Sequence, residues 1–314
     1  MSENQPVVMI GAQMLAGLEG RLAEQGYRVA RAWEPASVAE LGPETRAIMH
    51  AGEVKLAPEF LSSLPNLALI ANLSVGYDGV DVPWCRAHGI EVTHARALNA
   101  DDVADHAMGL LIGAWRGIVE GDRALRDGQW RGSDRLRPRL GLKGRKVGVV
   151  GLGAIGEAVA LRCAPFGMNV SWWGPREKPG AAWPRAASLL ELAMDSDILV
   201  IACRADEGNR GMIDKLVIEA VGPAGMIVNV ARGQIIDETA LIEALRSGAL
   251  GLAALDVFEQ EPTPVERWAG VRGTVLTPHT GGGTSDSVPR MVAMCLENLR
   301  CFFAGEELPS PVAE

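Results

Sequence analysis

Apolar positions fall into two periods along this chain, short continuous runs and stripes at helical spacing. The runs Val7–Ile10, Ala47–His50, Leu67–Ile70 and Ile90–Val92 predict buried strands. Residues 14–25 and Val82–His88 predict helices between them. Such alternation implies a parallel sheet, so the chain to about residue 95 reads as one open α/β unit. Residues 100–126 read as one long helix with Val103, Ala107, Leu110, Leu111 and Ala114 on its apolar side. Asn99 is placed to cap it, and Asp101 and Asp102 suit its positive end. Gly128 and the polar stretch Arg131–Arg139 end it. A second block opens at Lys146, with strands predicted at Val147–Val150, Asn169–Trp173, Ile198–Ala202, Met226–Val230, Leu252–Val257 and Val275–Thr277. The clearest helix among them is Asp237–Ser247, and residues 285–304 form a last amphipathic helix before a Pro-rich tail. Six strands with crossovers match a doubly wound dinucleotide fold.

The most informative stretch is Lys146-Val147-Gly148-Val149-Val150-Gly151-Leu152-Gly153-Ala154-Ile155-Gly156. A β-branched run enters three glycines spaced G-x-G-x-x-G, and a helical stretch follows. Gly151 permits a tight turn, Gly153 lets a pyrophosphate approach the backbone, and Gly156 allows close helix–strand packing. The N–H groups and positive end of the helix then face the phosphates. In this context dinucleotide binding outweighs a plain turn. The loop Ser74-Val75-Gly76-Tyr77-Asp78-Gly79-Val80-Asp81 follows another predicted strand, at an edge where open sheets place ligands. Its spacing alone does not separate an anion-binding loop from an ordinary turn.

Composition narrows the partners. The 314 residues are enough for two domains, and 48% hydrophobic with 22% charged residues is a globular balance. Net charge is −9 and no long basic run occurs, which argues against nucleic acid or an anionic membrane surface. The start, Met1-Ser2-Glu3-Asn4-Gln5-Pro6, does not read as a signal peptide, and no apolar stretch has bilayer-spanning length. Cys85, Cys163, Cys203, Cys295 and Cys301 are scattered without C-x-x-C, as expected of reduced thiols in a cytoplasm rather than a metal site.

Three polar residues stand just after predicted strands of the second block. Arg232 follows Ile227–Ala231, Glu261 follows Leu255–Gln260, and His279 follows Val275–Pro278. An arginine holds a carboxylate in a fork and polarises a carbonyl. A histidine transfers protons near neutral pH, and a carboxylate beside it orients the ring and favours its charged form. Each alone is an ordinary loop residue, but their shared edge with a nucleotide loop suits hydride transfer to a 2-oxo acid. His50, His88, His94 and His106 read as structural or surface residues.

At this point the chain resembles the D-isomer-specific 2-hydroxyacid dehydrogenases, and in particular their glyoxylate/hydroxypyruvate reductase branch. The motifs are Val75–Asp78, Asp101–Asp105, Gly151–Gly156, Val228–Gly233, Leu255–Pro262 and Thr277–Gly282. The resemblance implies two doubly wound parallel-sheet domains. A discontinuous, flavodoxin-like substrate domain would span 1–98 and 286–314, and a Rossmann domain 99–285. It implies that Arg232 binds the substrate carboxylate and keto oxygen, that His279 donates the proton and that Glu261 is its partner. Ser74, Val75 and Gly76 would hold the carboxylate, with the Val75 and Gly76 backbone as a clamp when the domains close. Cofactor contacts are expected at Gly151, Gly153, Ala154, Ile155 and Gly156, at Gly174, Pro175 and Arg176, at Cys203 and Arg204, and at Val230, Ala231, Asp256, His279 and Gly281. Asp256 would contact the nicotinamide carboxamide or order its pocket. A homodimer built on the cofactor domain and a cytoplasmic location complete the implied picture.

The chain departs from the family pattern at Ala154, often Arg, at Arg204, usually Pro, at Asp206-Glu207-Gly208-Asn209, where threonines are common, and at His94-Ala95-Arg96-Ala97, which lacks a proline. NAD-binding folds usually place an acidic residue about 20 residues past the glycines to take the ribose hydroxyls. Here the second strand ends in Gly174-Pro175-Arg176-Glu177-Lys178. Glycine leaves room for a 2′-phosphate, and Arg176, with Lys178 and Arg204, supplies charge, so NADPH is expected over NADH. The rivals are a nucleotide-sensing corepressor of the same fold and a formate dehydrogenase. The latter needs no proton donor and carries glutamine in place of the glutamate, so Glu261 favours an oxo acid.

Overall fold

The computed structural model describes residues 5–130 and 139–312. Residues Arg131–Pro138, where part of the stretch expected to end the long helix lies, fall outside them, as do Met1–Asn4. The chain divides into two compact units, residues 1–99 with 285–314, and residues 100–284.

The first unit is a five-stranded parallel sheet in the order β2-β1-β3-β4-β5. Its strands are β1 (Val7–Ile10), β2 (Arg28–Arg31), β3 (Thr45–His50), β4 (Leu69–Asn72) and β5 (Glu91–Thr93). β1 is apolar throughout and β3 and β4 are buried except at Arg46, because helices cover both faces of the sheet. β2 was not expected: Arg28-Val29-Ala30-Arg31 is a half-buried edge strand, too polar for the run that marks an inner one. The expected helix 14–25 is a 3₁₀ segment, Gln13–Leu18, continued by the α-helix Glu19–Glu24. The last helix, Ser287–Ala304, packs on β4 and belongs to this unit.

The second unit is a six-stranded parallel sheet in the order β11-β10-β9-β8-β6-β7. Its strands are β6 (Lys146–Val150), β7 (Asn169–Trp173), β8 (Ile198–Ile201), β9 (Met226–Asn229), β10 (Leu252–Leu255) and β11 (Thr274–Leu276). Two apolar clusters, one on each face, make both sides of the sheet buried. Strand order reverses beside β6, between β7 and β8, so the crevice at its carboxyl end is where such folds bind ligands. Beyond β7 a third strand is reduced to a one-residue parallel bridge between Trp172 and Arg185.

The long helix predicted over 100–126 is two helices, Ala100–Trp115 and Ile118–Arg126. Gly117 between them has φ of 63°, a left-handed conformation that stops the first helix. The side-chain Oδ1 of Asn99 is buried without a hydrogen-bond partner, so Asn99 does not cap the helix through it. Asp101 instead pairs with Arg162 of the helix that follows the glycine turn.

Candidate active site

The glycine turn joins β6 to the helix Ala154–Cys163. Gly151 has φ of 90°, and a side chain on it would meet the Cα of Cys203 at 2.5 Å. At Gly156 a Cβ would lie 2.0 Å from the Gly151 carbonyl oxygen. Gly153 is different, because nothing stands within 4 Å of a Cβ placed there. Two glycines are therefore demanded by packing, while the third leaves open space at a helix N-terminus, the room a pyrophosphate needs. The ribose-binding carboxylate usual at the end of β7 is replaced by Gly174, and Arg176 beside it is exposed. Lys178 does not project toward it. Its Nζ is held by Glu157 at 2.7 Å and by the Leu152 carbonyl at 3.0 Å. The loop after β8 replaces the family threonines by a self-capped turn. Asp206 Oδ1 accepts the Gly208 N–H, and the Asn209 side chain bonds Asp206 N and Arg204 O.

Arg232, Glu261 and His279 follow β9, β10 and β11 at the carboxyl edge of the same sheet. Gly233 lets the first two loops approach, since a Cβ there would lie 1.8 Å from the Phe258 carbonyl carbon. Asn229, buried at the end of β9, fixes the turn that carries Val230, Ala231 and Arg232. Its Oδ1 accepts from Ala231 N at 3.0 Å and its Nδ2 donates to Arg232 O at 3.0 Å. Glu261 accepts the Phe258 N–H at 2.9 Å through Oε1 and binds His279 Nδ1 at 2.7 Å through Oε2. With an acceptor at Nδ1, the neutral ring carries its proton there, so Nε2 is the nitrogen that gains or gives one. The hydrogen bond to Glu261 holds His279 above its ordinary pKa, against the effects of burial and of the Arg232 charge. Burial pushes the Glu261 carboxyl up, but the bonds from His279 and Phe258 N–H with the charges of His279 and Arg232 outweigh it and hold it low.

Asp256 is 3% exposed and its oxygens are fully engaged. They accept from Thr280 N at 2.9 Å, Gly281 N at 2.8 Å and the Thr277 hydroxyl at 2.6 Å, while its carbonyl takes the His279 N–H at 2.8 Å. These bonds tie the Thr277–Gly281 loop to the end of β10. His106 lies over the same group, with Nε2 2.9 Å from Thr277 Oγ1 and 3.2 Å from Asp256 Oδ1. The clamp sets the backbone of His279, whose φ of 51° is unusual for a residue with a side chain. Sequence reasoning passed over Asn229 and read His106 only as structural or surface. A polar residue closing an apolar strand was a signal for Asn229, whereas His106 pairs across 171 residues and left none.

In the first unit, the Ser74 hydroxyl accepts the Gly52 N–H at 2.8 Å and donates to the Gly76 carbonyl at 2.9 Å. His94 bonds the Val75 carbonyl at 2.9 Å and meets Tyr77 edge-on. Ser74 and His94 thus brace the loop, whose Gly79 and Val80 amides are also spent on the Gly52 and Tyr77 carbonyls. His50 similarly ties the neighbouring loop through the Val54 carbonyl at 2.7 Å.

Comparison with known proteins identifies the family. Residues 108–281 match the model of the D-isomer specific 2-hydroxyacid dehydrogenase NAD-binding domain. The chain is 36% identical to a glyoxylate/hydroxypyruvate reductase of Arabidopsis thaliana, covering 97% of this chain and 98% of that one. It is also 36% identical to the hydroxyphenylpyruvate reductase of Plectranthus scutellarioides, with the same coverage. Among solved structures, the NADPH-dependent glyoxylate/hydroxypyruvate reductase of Sinorhizobium meliloti, in complex with NADP and malonate, superposes with a TM-score of 0.91. Its sequence identity is 31%, and the match covers 99% of this chain and 97% of that one. The chain belongs to the D-isomer specific 2-hydroxyacid dehydrogenases.

Proposed function

We propose that this protein reduces a small 2-oxo acid, such as glyoxylate or hydroxypyruvate, to the D-2-hydroxy acid with NADPH. The observation that carries the reading is the His279–Glu261 pair, 2.7 Å apart, on the sheet edge that also bears the glycine turn and Arg232. A bound reduced nicotinamide supplies a hydride for the carbonyl carbon. The open space at Gly153 and the helix N-terminus fit the pyrophosphate of such a group, and Gly174 with Arg176 and Arg204 fits a 2′-phosphate better than a ribose diol. Arg232 holds the substrate carboxylate and polarises its keto oxygen. His279, whose hold on a second proton Glu261 strengthens, gives the proton at Nε2 to the developing alkoxide. The Val75 and Gly76 amides take the second share of the carboxylate. The substrate side is residues 1–98 with 286–314, and the cofactor side is 99–285.

The same reading makes the protein a cytoplasmic homodimer joined through the cofactor unit. Exposed Ile118 and Leu125, seven residues apart on one helix face, and Trp130, 84% exposed, support that surface. The relatives' names support the substrate class, and the arylpyruvate named for one of them keeps bulkier oxo acids in view. A panel of 2-oxo acids assayed with NADPH and with NADH tests the proposal. Highest catalytic efficiency for glyoxylate or hydroxypyruvate with NADPH is expected, and no turnover on any oxo acid rejects it.

A further inference from the structure

The segment standing in for the missing third strand carries an arginine to the end of β7. Trp172 N–H donates to the Pro184 carbonyl at 3.0 Å and Ala186 N–H to the Trp172 carbonyl at 2.8 Å, so residues 184–186 run along the strand. Between them, Arg185 sends Nη2 to the carbonyl oxygen of Gly174 at 2.7 Å. Its guanidinium carbon lies 5.8 Å from the centre of the Trp172 ring, within reach of a cation–π attraction. The guanidinium is thereby anchored at the residue where folds of this kind set the adenosine ribose. One N–H is used on Gly174, and among the described residues the other guanidinium N–H groups have no acceptor. Among the described residues no carboxylate pairs with it, and a Cβ on Gly174 would meet only the Trp172 ring, at 3.4 Å. Arg176 and Arg185 are both exposed, but Arg176 makes no hydrogen bond or ion pair among the described residues, and Lys178 is spent on Glu157.

We propose that Arg185 is a specificity-determining residue for the cofactor, binding the 2′-phosphate of NADP(H) at the end of β7. The inference rests on the reading that the glycine turn holds a phosphorylated dinucleotide. A guanidinium already held by a ring and a carbonyl loses little freedom on binding and presents its fork to phosphate oxygens. A ribose hydroxyl offers it no charge, so the residue separates the phosphorylated from the plain dinucleotide.

The test is calorimetric titration of the full-length protein with 2′,5′-ADP and with 5′-AMP, which share the adenosine and differ in the 2′-phosphate. Wild type should bind 2′,5′-ADP about tenfold or more tighter than AMP, as one charge-assisted contact implies. Arg185→Ala should bring the two within a few-fold of each other with AMP affinity unchanged. Arg185→Gln, which keeps an N–H for Gly174 but no charge, should behave the same way. Wild-type discrimination retained in both variants overturns the assignment and leaves the NADPH reading standing on Arg176 and Arg204. A wild type that binds both probes equally removes the NADPH preference and Arg185 together, while 2-oxo acid reduction with NADH survives.

Discussion

At the scale of residues, each site group depends on a neighbour that fixes its chemistry. His279 sits above its ordinary pKa because Glu261 accepts from Nδ1, and the proposed reduction uses the protonated ring. Turnover should therefore fall as pH rises through that raised pKa. Glu261→Gln removes the cause, so the same limb should move to lower pH; an unmoved pH–rate profile would separate the two residues. Arg232→Lys keeps a charge but not the fork, and catalytic efficiency should drop about a hundredfold, as when one donor to a developing oxyanion is lost. Steady-state kinetics at saturating cofactor reads this, and a wild-type response places the carboxylate elsewhere. His106→Phe takes a donor from Thr277 and the buried Asp256, at a cost of about 1–3 kcal/mol. A lower melting temperature with slower turnover is expected, partly restored by His106→Gln, and a variant as stable as wild type contradicts the clamp. The three loop residues were legible because each follows an apolar run. Their braces were not, since a hydrogen bond across 171 residues leaves no local trace.

At the scale of elements, the glycine turn separates folding from binding within six residues. Gly156→Ala sets a methyl against the Gly151 carbonyl and should lower stability by about 1–3 kcal/mol, the usual range for overpacking. Gly153→Ala meets open space, so thermal denaturation should hardly change while affinity for the dinucleotide falls about tenfold, the loss of one good contact. Equal melting-temperature losses in both variants would contradict the division. Strand centres were readable from apolar runs alone. Errors came where local chemistry interrupts a periodic pattern: Gly117 splits the long helix, and β2 hides behind the arginines of an edge strand. The run Leu67–Ile70 lies two residues before β4 at Leu69–Asn72 because an apolar run does not show where pairing begins.

At the scale of the whole chain, the order of strands and the position of the reversal beside β6 make that sheet edge a binding edge, and the glycine turn, Arg232, Glu261 and His279 fall along it. The six-strand expectation held because every inner strand is buried on both faces and so reads as a continuous apolar run. Assembly is more weakly written, in a few exposed apolar side chains. Light scattering should give twice the 33.3 kDa chain mass, and Trp130→Glu should shift it toward monomer. A wild-type monomer removes the dimer. The central claim, that the whole chain serves proton-coupled reduction of a 2-oxo acid through His279, is tested most directly by comparing wild type with His279→Gln for NADPH binding and for glyoxylate-dependent NADPH oxidation. The account predicts binding within a few-fold of wild type and turnover reduced about a hundredfold or more; turnover near the wild-type rate in His279→Gln would contradict it.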